Sequence, residues 1–170
     1  MTETYPVCLT LRFSEHWLAW YSDATGHDRF VEANGALVWT NSERSLSNYL
    51  IGMGGWKPVS ATEEVLRLDV DELLRSLENG TADYEELITL WNLFTDLSNA
   101  STAEPVFPFA REAPGAKQQY DALFSRTNAG WLLDKSEEPV DFQLIGDILN
   151  LGVTLLERRL GSGFNPEHAC

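Results

Sequence analysis

Between Glu63 and Glu86 the chain carries nine carboxylates, Glu63, Glu64, Asp69, Asp71, Glu72, Glu78, Asp83, Glu85 and Glu86, against only Arg67 and Arg75. That excess of seven is half of the formal net charge of −14. Carboxylates at this density hold a negative potential that draws in and orients a basic partner. Asp71, Glu72, Glu78, Asp83, Glu85 and Glu86 are therefore the candidate partner-binding residues. Trp56, after Gly54-Gly55, and Trp131, after Gly130, join them, because a loop tryptophan beside an acidic surface has the composition of an interface anchor. The competing reading is plainer: the acids serve solubility and helix N-termini, and the tryptophans fold back onto the core.

Other chemistries find little support. Gly52-Met-Gly54-Gly55 lacks the Lys-Ser/Thr of a phosphate loop and follows a helical pattern, so it reads as a helix terminator. His16, His27 and His168 have no second ligand at helical spacing, and two cysteines, Cys8 and Cys170, make neither a zinc site nor a disulfide framework. No Gly-x-Ser-x-Gly elbow occurs, and Gly161-Ser-Gly163 reads as a helix exit. Asn92 and Asp96, four apart, suit mutual support on a solvated helix face better than general-base work. No catalytic residue, metal or cofactor is expected.

Charge sets the partner class. Lys and Arg number 12 against 26 Asp and Glu, which opposes phosphate neutralisation and docking on anionic lipid. Hydrophobic residues at 44% are enough for a folded core. The first residues lack a basic, apolar leader pattern and no run approaches a membrane span, so a cytoplasmic chain is expected.

These side chains must be positioned by elements whose periodicity is visible. Val7, Leu9, Leu11 and Phe13 alternate as on a half-buried strand. Ser14-Glu15 offers a tight connection, Trp17–Tyr21 a second strand, and Ser22–Gly26 a turn. Asn34-Gly35 suits a type I′ hairpin returning through Ala36–Trp39. Residues 6–40 thus read as an antiparallel meander. Thr40 and Glu43 resemble a capping box for a short helix through Leu46, Tyr49 and Leu50. Val65–Asp69 reads as another strand.

Helices follow. Val70, Leu73, Leu74 and Leu77 form one apolar stripe, and Tyr84, Leu87, Ile88, Trp91 and Phe94 another, with Thr81 as its cap. Residues 98–114 form a long connection. Ala116, Tyr120, Leu123 and Phe124 mark a short helix, and a last helix runs from near Pro139 to Leu160. Its broad apolar surface suits either the core or a homodimer seam, and a second acidic group, Asp134, Glu137, Glu138, Asp141 and Asp147, opens it. The expected fold is α+β, a small antiparallel sheet in the N-terminal half covered by helices from the C-terminal half, one domain over 1–161 with a frayed tail at 162–170.

Three functions fit. The first is a small acidic cytosolic protein-binding module of the immunity or antitoxin type, which neutralises a basic, nuclease-like toxin domain by electrostatic capture. The second is a nucleic-acid mimic that blocks a DNA-binding enzyme. The third is an enzyme or small-ligand protein whose site forms only in the fold, around Asp96, Asn92 and Tyr120.

Overall fold

Thr2–Leu11 forms strand β1, and Ser14–Ser22 returns along it as antiparallel β2, with Leu11 opposite Ser14. The reversal therefore falls at Arg12-Phe13, two residues earlier than the sequence suggests. Both residues are left-handed, with φ of 50° and 62°. That backbone is costly for side-chain-bearing residues, and it explains why the position was not legible. Asp71 accepts from the Phe13 N–H at 3.0 Å and Glu157 pairs with Arg12, so the tip is held from outside itself. Phe13, expected to face inward, is 90% exposed.

The structure, a computed structural model, describes residues 2–59, 65–99, 115–127 and 139–168. By contacts the chain divides into two compact units, Met1–Asp71 with Glu157–Cys170, and Glu72–Leu156. The divisions fall inside two helices. The fold is α+β, a mixed sheet in the N-terminal half and, among the described residues, five helices, mostly in the C-terminal half.

In the first unit, Asp28–Phe30 (β3) pairs with the end of β2 and Trp39–Thr40 (β6) with its middle, both antiparallel. Between them Glu32–Ala33 (β4) and Ala36–Leu37 (β5) make the expected hairpin, turning at Asn34 (φ 54°) and Gly35 (φ 79°). The other edge of β1 departs from an all-antiparallel sheet. Trp56–Pro58 (β7) and Leu66–Asp69 (β8) both join it in parallel. Helix α1, Glu43–Met53, is capped by Ser42, whose side chain accepts from Ser45 N. Thr40 donates to the Ser42 carbonyl instead of capping the helix. Gly54 (φ 72°) ends the helix, as the glycine run suggested.

Leu46 and Leu50 of α1 pack with Cys8, Trp17, Ala19, Val31 and Val38. This is why β1 is buried at Cys8 as well as at Val7, Leu9 and Leu11, where simple alternation had predicted one buried face. The end of the chain closes the unit. Phe164 N donates to Leu37 O at 2.8 Å and Trp39 N to Phe164 O at 3.2 Å. Only glycine fits at 163, where a Cβ would lie 2.7 Å from both the Leu37 and Arg159 carbonyl oxygens.

The second unit holds helix α2 (Val70–Glu78) from Glu72 on, α3 (Tyr84–Asn99), α4 (Ala116–Phe124), and α5 (Phe142–Gly161) as far as Leu156. The stripes read from the sequence are the buried ones: Leu73 and Leu77 in α2, and Leu87, Ile88, Trp91 and Phe94 in α3. Asp83, not Thr81, caps α3 by accepting from the N–H groups of Glu85 (2.8 Å) and Glu86 (3.1 Å). Asp141 caps α5 through Leu144 N at 3.0 Å. Gly152 brings α5 so close to α3 that a Cβ there would fall 2.1 Å from the Phe94 ring. Ile145, Ile148 and Leu149 of α5 are buried, while Leu151 is exposed.

Candidate functional site

Of the residues singled out by charge, Glu72, Glu78, Asp83, Glu85 and Glu86 belong to the second unit, and Asp71 and Trp56 to the first. Asp71 holds the Phe13 amide at the hairpin tip. Trp56 lies in β7 rather than on a loop, half-buried, with its ring edge-on to Tyr21 at a centroid distance of 5.0 Å. Trp131 lies outside the described residues, as do Asp134, Glu137 and Glu138.

Within the second unit the acids do different jobs. Glu72 pairs with Arg75 one turn on, and Asp83 is occupied as a helix cap. Glu85 and Glu86 are exposed and follow Tyr84 in sequence. The Tyr84 ring stacks on Phe142 of α5 at 6.4 Å and 6°. Phe142 in turn lines a groove of about 250 Å³ formed by α2 and α5. Leu74, Leu77 and Gly146 line the same groove with Phe142, and Glu78 and Asp147 bring carboxylates to it.

Gly146 is part of the groove wall, and a Cβ there would make an ordinary contact with Leu77 at 3.5 Å. Gln143 and Asn150 complete the lining, and no Lys or Arg is part of it. Gln143 Nε2 donates to Asp147 Oδ1 at 3.1 Å, which steadies that carboxylate without neutralising it. Glu78 makes no ion pair among the described residues. The arrangement can hold a cation with an apolar stem, because carboxylates stand beside hydrocarbon.

The sequence reading missed Asp147 as a partner of Glu78. Nothing local connects residues 69 positions apart, and only the i, i+3, i+4 stripes of the two helices could have hinted at their approach. It also missed Gln119, which is buried and joins α4 to the entry of α5 by accepting from Asp141 N at 2.7 Å. Tyr120 donates to Asn92 Oδ1 at 3.0 Å and sets its ring edge-on to Trp91. Those two groups are thus engaged with each other.

Of the titratable groups that their surroundings displace, two in the first unit move furthest. Burial, helped by the nearby Glu15 charge, pushes the Cys8 thiol up to about 11, so it is a neutral core group at ordinary pH. The Thr25 hydroxyl, then Arg29 and the His27 amide, hold Asp23 well below the ordinary carboxylate range. Both shifts describe structural roles. Among the described residues no group of three or more His, Cys, Asp or Glu is placed to hold a metal ion. No described helix is long and apolar enough to cross a membrane.

No family model and no curated protein matches this chain. Among solved structures it is similar to the crystal structure of the SatS C-terminal domain in complex with bromine, with a TM-score of 0.51 and 13% sequence identity over 95% of this chain and 93% of that one. At that identity the likeness is one of fold.

Proposed function

We propose that this chain is an acidic protein-binding module of the immunity or antitoxin type, working in the cytoplasm, which neutralises a basic, nuclease-like protein domain by electrostatic capture. One observation carries this reading. Residues 72–156 hold fourteen Asp and Glu against five Lys and Arg, a net of −9 out of −14, and the described groove in that unit has two acidic residues and no basic one in its lining. A field of one sign accelerates encounter with a partner of the other sign and disfavours like-charged competitors. The buried, neutral Cys8 is compatible with a reducing compartment.

The test is recovery of partners by the tagged full chain from native lysate, washed at low salt and at roughly 0.5 M, where exposed charge contacts are strongly screened. A variant carrying Glu72→Gln, Glu78→Gln, Glu85→Gln and Glu86→Gln is run beside it. The expected result is one basic protein held at low salt, weakened at high salt and lost by the variant. Recovery of the same protein by the variant, or of no specific protein under either wash, overturns the reading.

A further inference from the structure

The charge of the second unit is spread over several helix ends, but the α2–α5 groove is where it meets apolar surface. Leu74, Leu77 and Phe142 supply hydrocarbon, while Glu78 and Asp147 supply carboxylates. The amide oxygen of Gln143 is a further acceptor, since its Nε2 is already directed at Asp147. Glu78 also stands at the last position of α2. There the carbonyl end of the helix carries negative potential, and an acid works against the fold. A carboxylate at the wrong end of a helix, in a groove that a second carboxylate also lines and with no cation among the lining residues, is poorly explained by stability. It is well explained by a cation delivered from outside.

Resting on the reading proposed above, we infer that the α2–α5 groove is the subsite for an arginine side chain of the basic partner. The methylenes of that side chain lie along Leu74, Leu77 and Phe142, and its guanidinium is held by Glu78 and Asp147. Arginine fits better than lysine. Its planar group offers five donors to the two carboxylates and the adjacent amide oxygens, and it sheds water more readily than an ammonium. Buried arginines are also common energetic anchors of protein interfaces.

The test uses the full chain labelled with 15N and two probes, acetyl-Arg-Arg-Arg-amide and its lysine counterpart. Arginine peptide should shift the Gly146 amide and the side-chain amides of Gln143 and Asn150, with the lysine peptide several-fold weaker. The variant Glu78→Gln/Asp147→Asn should weaken arginine binding by at least about tenfold, the loss expected when charged hydrogen bonds are removed, while keeping the spectrum of a folded chain. Glu78→Gln alone should raise the melting temperature. Shifts spread evenly over the exposed acids, or equal binding by the double variant, overturn the subsite, and a lower melting temperature for Glu78→Gln makes that residue structural and overturns it too. Failure here is separable from failure of the broader reading. A basic protein recovered from lysate equally by the double variant leaves capture intact and removes the groove. Peptide binding at the groove with no protein recovered does the reverse.

Discussion

The two units are of equal length, 85 residues each, and use charge in opposite ways. The first carries twelve acids and seven basic residues. It pairs five of those basic side chains with its own acids, Arg12–Glu157, Arg29–Asp23, Lys57–Glu3 and Arg67–Glu15 at the surface and Arg159–Glu32 buried. The second has fourteen acids and five basic residues, and its named pairs, Arg75–Glu72 and Lys117–Asp121, are local ones along a single helix. Cohesion differs accordingly. The first unit is tied by ion pairs between distant segments, the second by close helix packing such as Gly152 against Phe94 and by uncharged or amide-borne bonds such as Tyr120 to Asn92 and Asp141 N to Gln119. Charge that is not needed for cohesion is available for recognition.

Breaking the strongest directional contact should have the largest effect. Arg159 is buried, pairs with Glu32, and has its Nε without a hydrogen-bond partner. Glu32→Ala would leave a buried guanidinium uncompensated, and a loss of about 3 kcal/mol is expected in urea titration. The packing counterpart is Gly152→Ala, whose methyl overlaps the Phe94 ring. It should destabilise by about 1–3 kcal/mol, with partial recovery in Gly152→Ala/Phe94→Leu. A third change sharpens the comparison inside the first unit, which builds one turn type twice. Asn34-Gly35 suits its left-handed backbone and Arg12-Phe13 does not. Arg12→Asn/Phe13→Gly should raise the melting temperature by about 2–4 °C, because the exposed Arg12–Glu157 pair it removes is worth little.

The smallest effect is local and pH-dependent. Because the folded structure lowers the Asp23 pKa, its stabilisation is present at neutral pH, declines below about pH 4, and disappears as pH falls through the folded value. Amide protection at Thr25 and His27, taken relative to the intrinsic exchange rate at each pH, should fall on acidification and report it. In Asp23→Asn that protection should no longer vary with pH.

How much of this was legible follows the range of the interactions. The stripes Leu73–Leu77 and Leu87–Phe94 are 3.6-residue patterns, so α2 and α3 could be read directly. Asn34-Gly35 names its own turn. Arg12-Phe13 could not be read, because the groups that meet the turn, Asp71 and Glu157, lie far away in the sequence. The parallel pairing of β7 and β8 on β1 leaves no local mark either, since parallel partners reveal only that they are strands. Of the candidate site, Glu78 stood out by charge, but the groove it shares with Asp147 and Gly146 depends on two helices meeting. Trp56 was misplaced because a preceding Gly-Gly looks the same before a strand as before a loop.

The strap from Gly163 to Phe164 has a consequence in time. It is laid against Leu37 and Trp39, residues synthesised more than 120 positions earlier. The first unit is thus discontinuous in the chain, with the second inserted between Asp71 and Glu157. Growing from the ribosome, the β1–β2 hairpin and the Asn34-Gly35 hairpin can form early from near neighbours, while the edge that receives Phe164 must wait until the whole insertion has been made. During that interval the Leu37 carbonyl and the Trp39 amide have no strap to bind, and a nascent chain halted before residue 163 would display them to other strands.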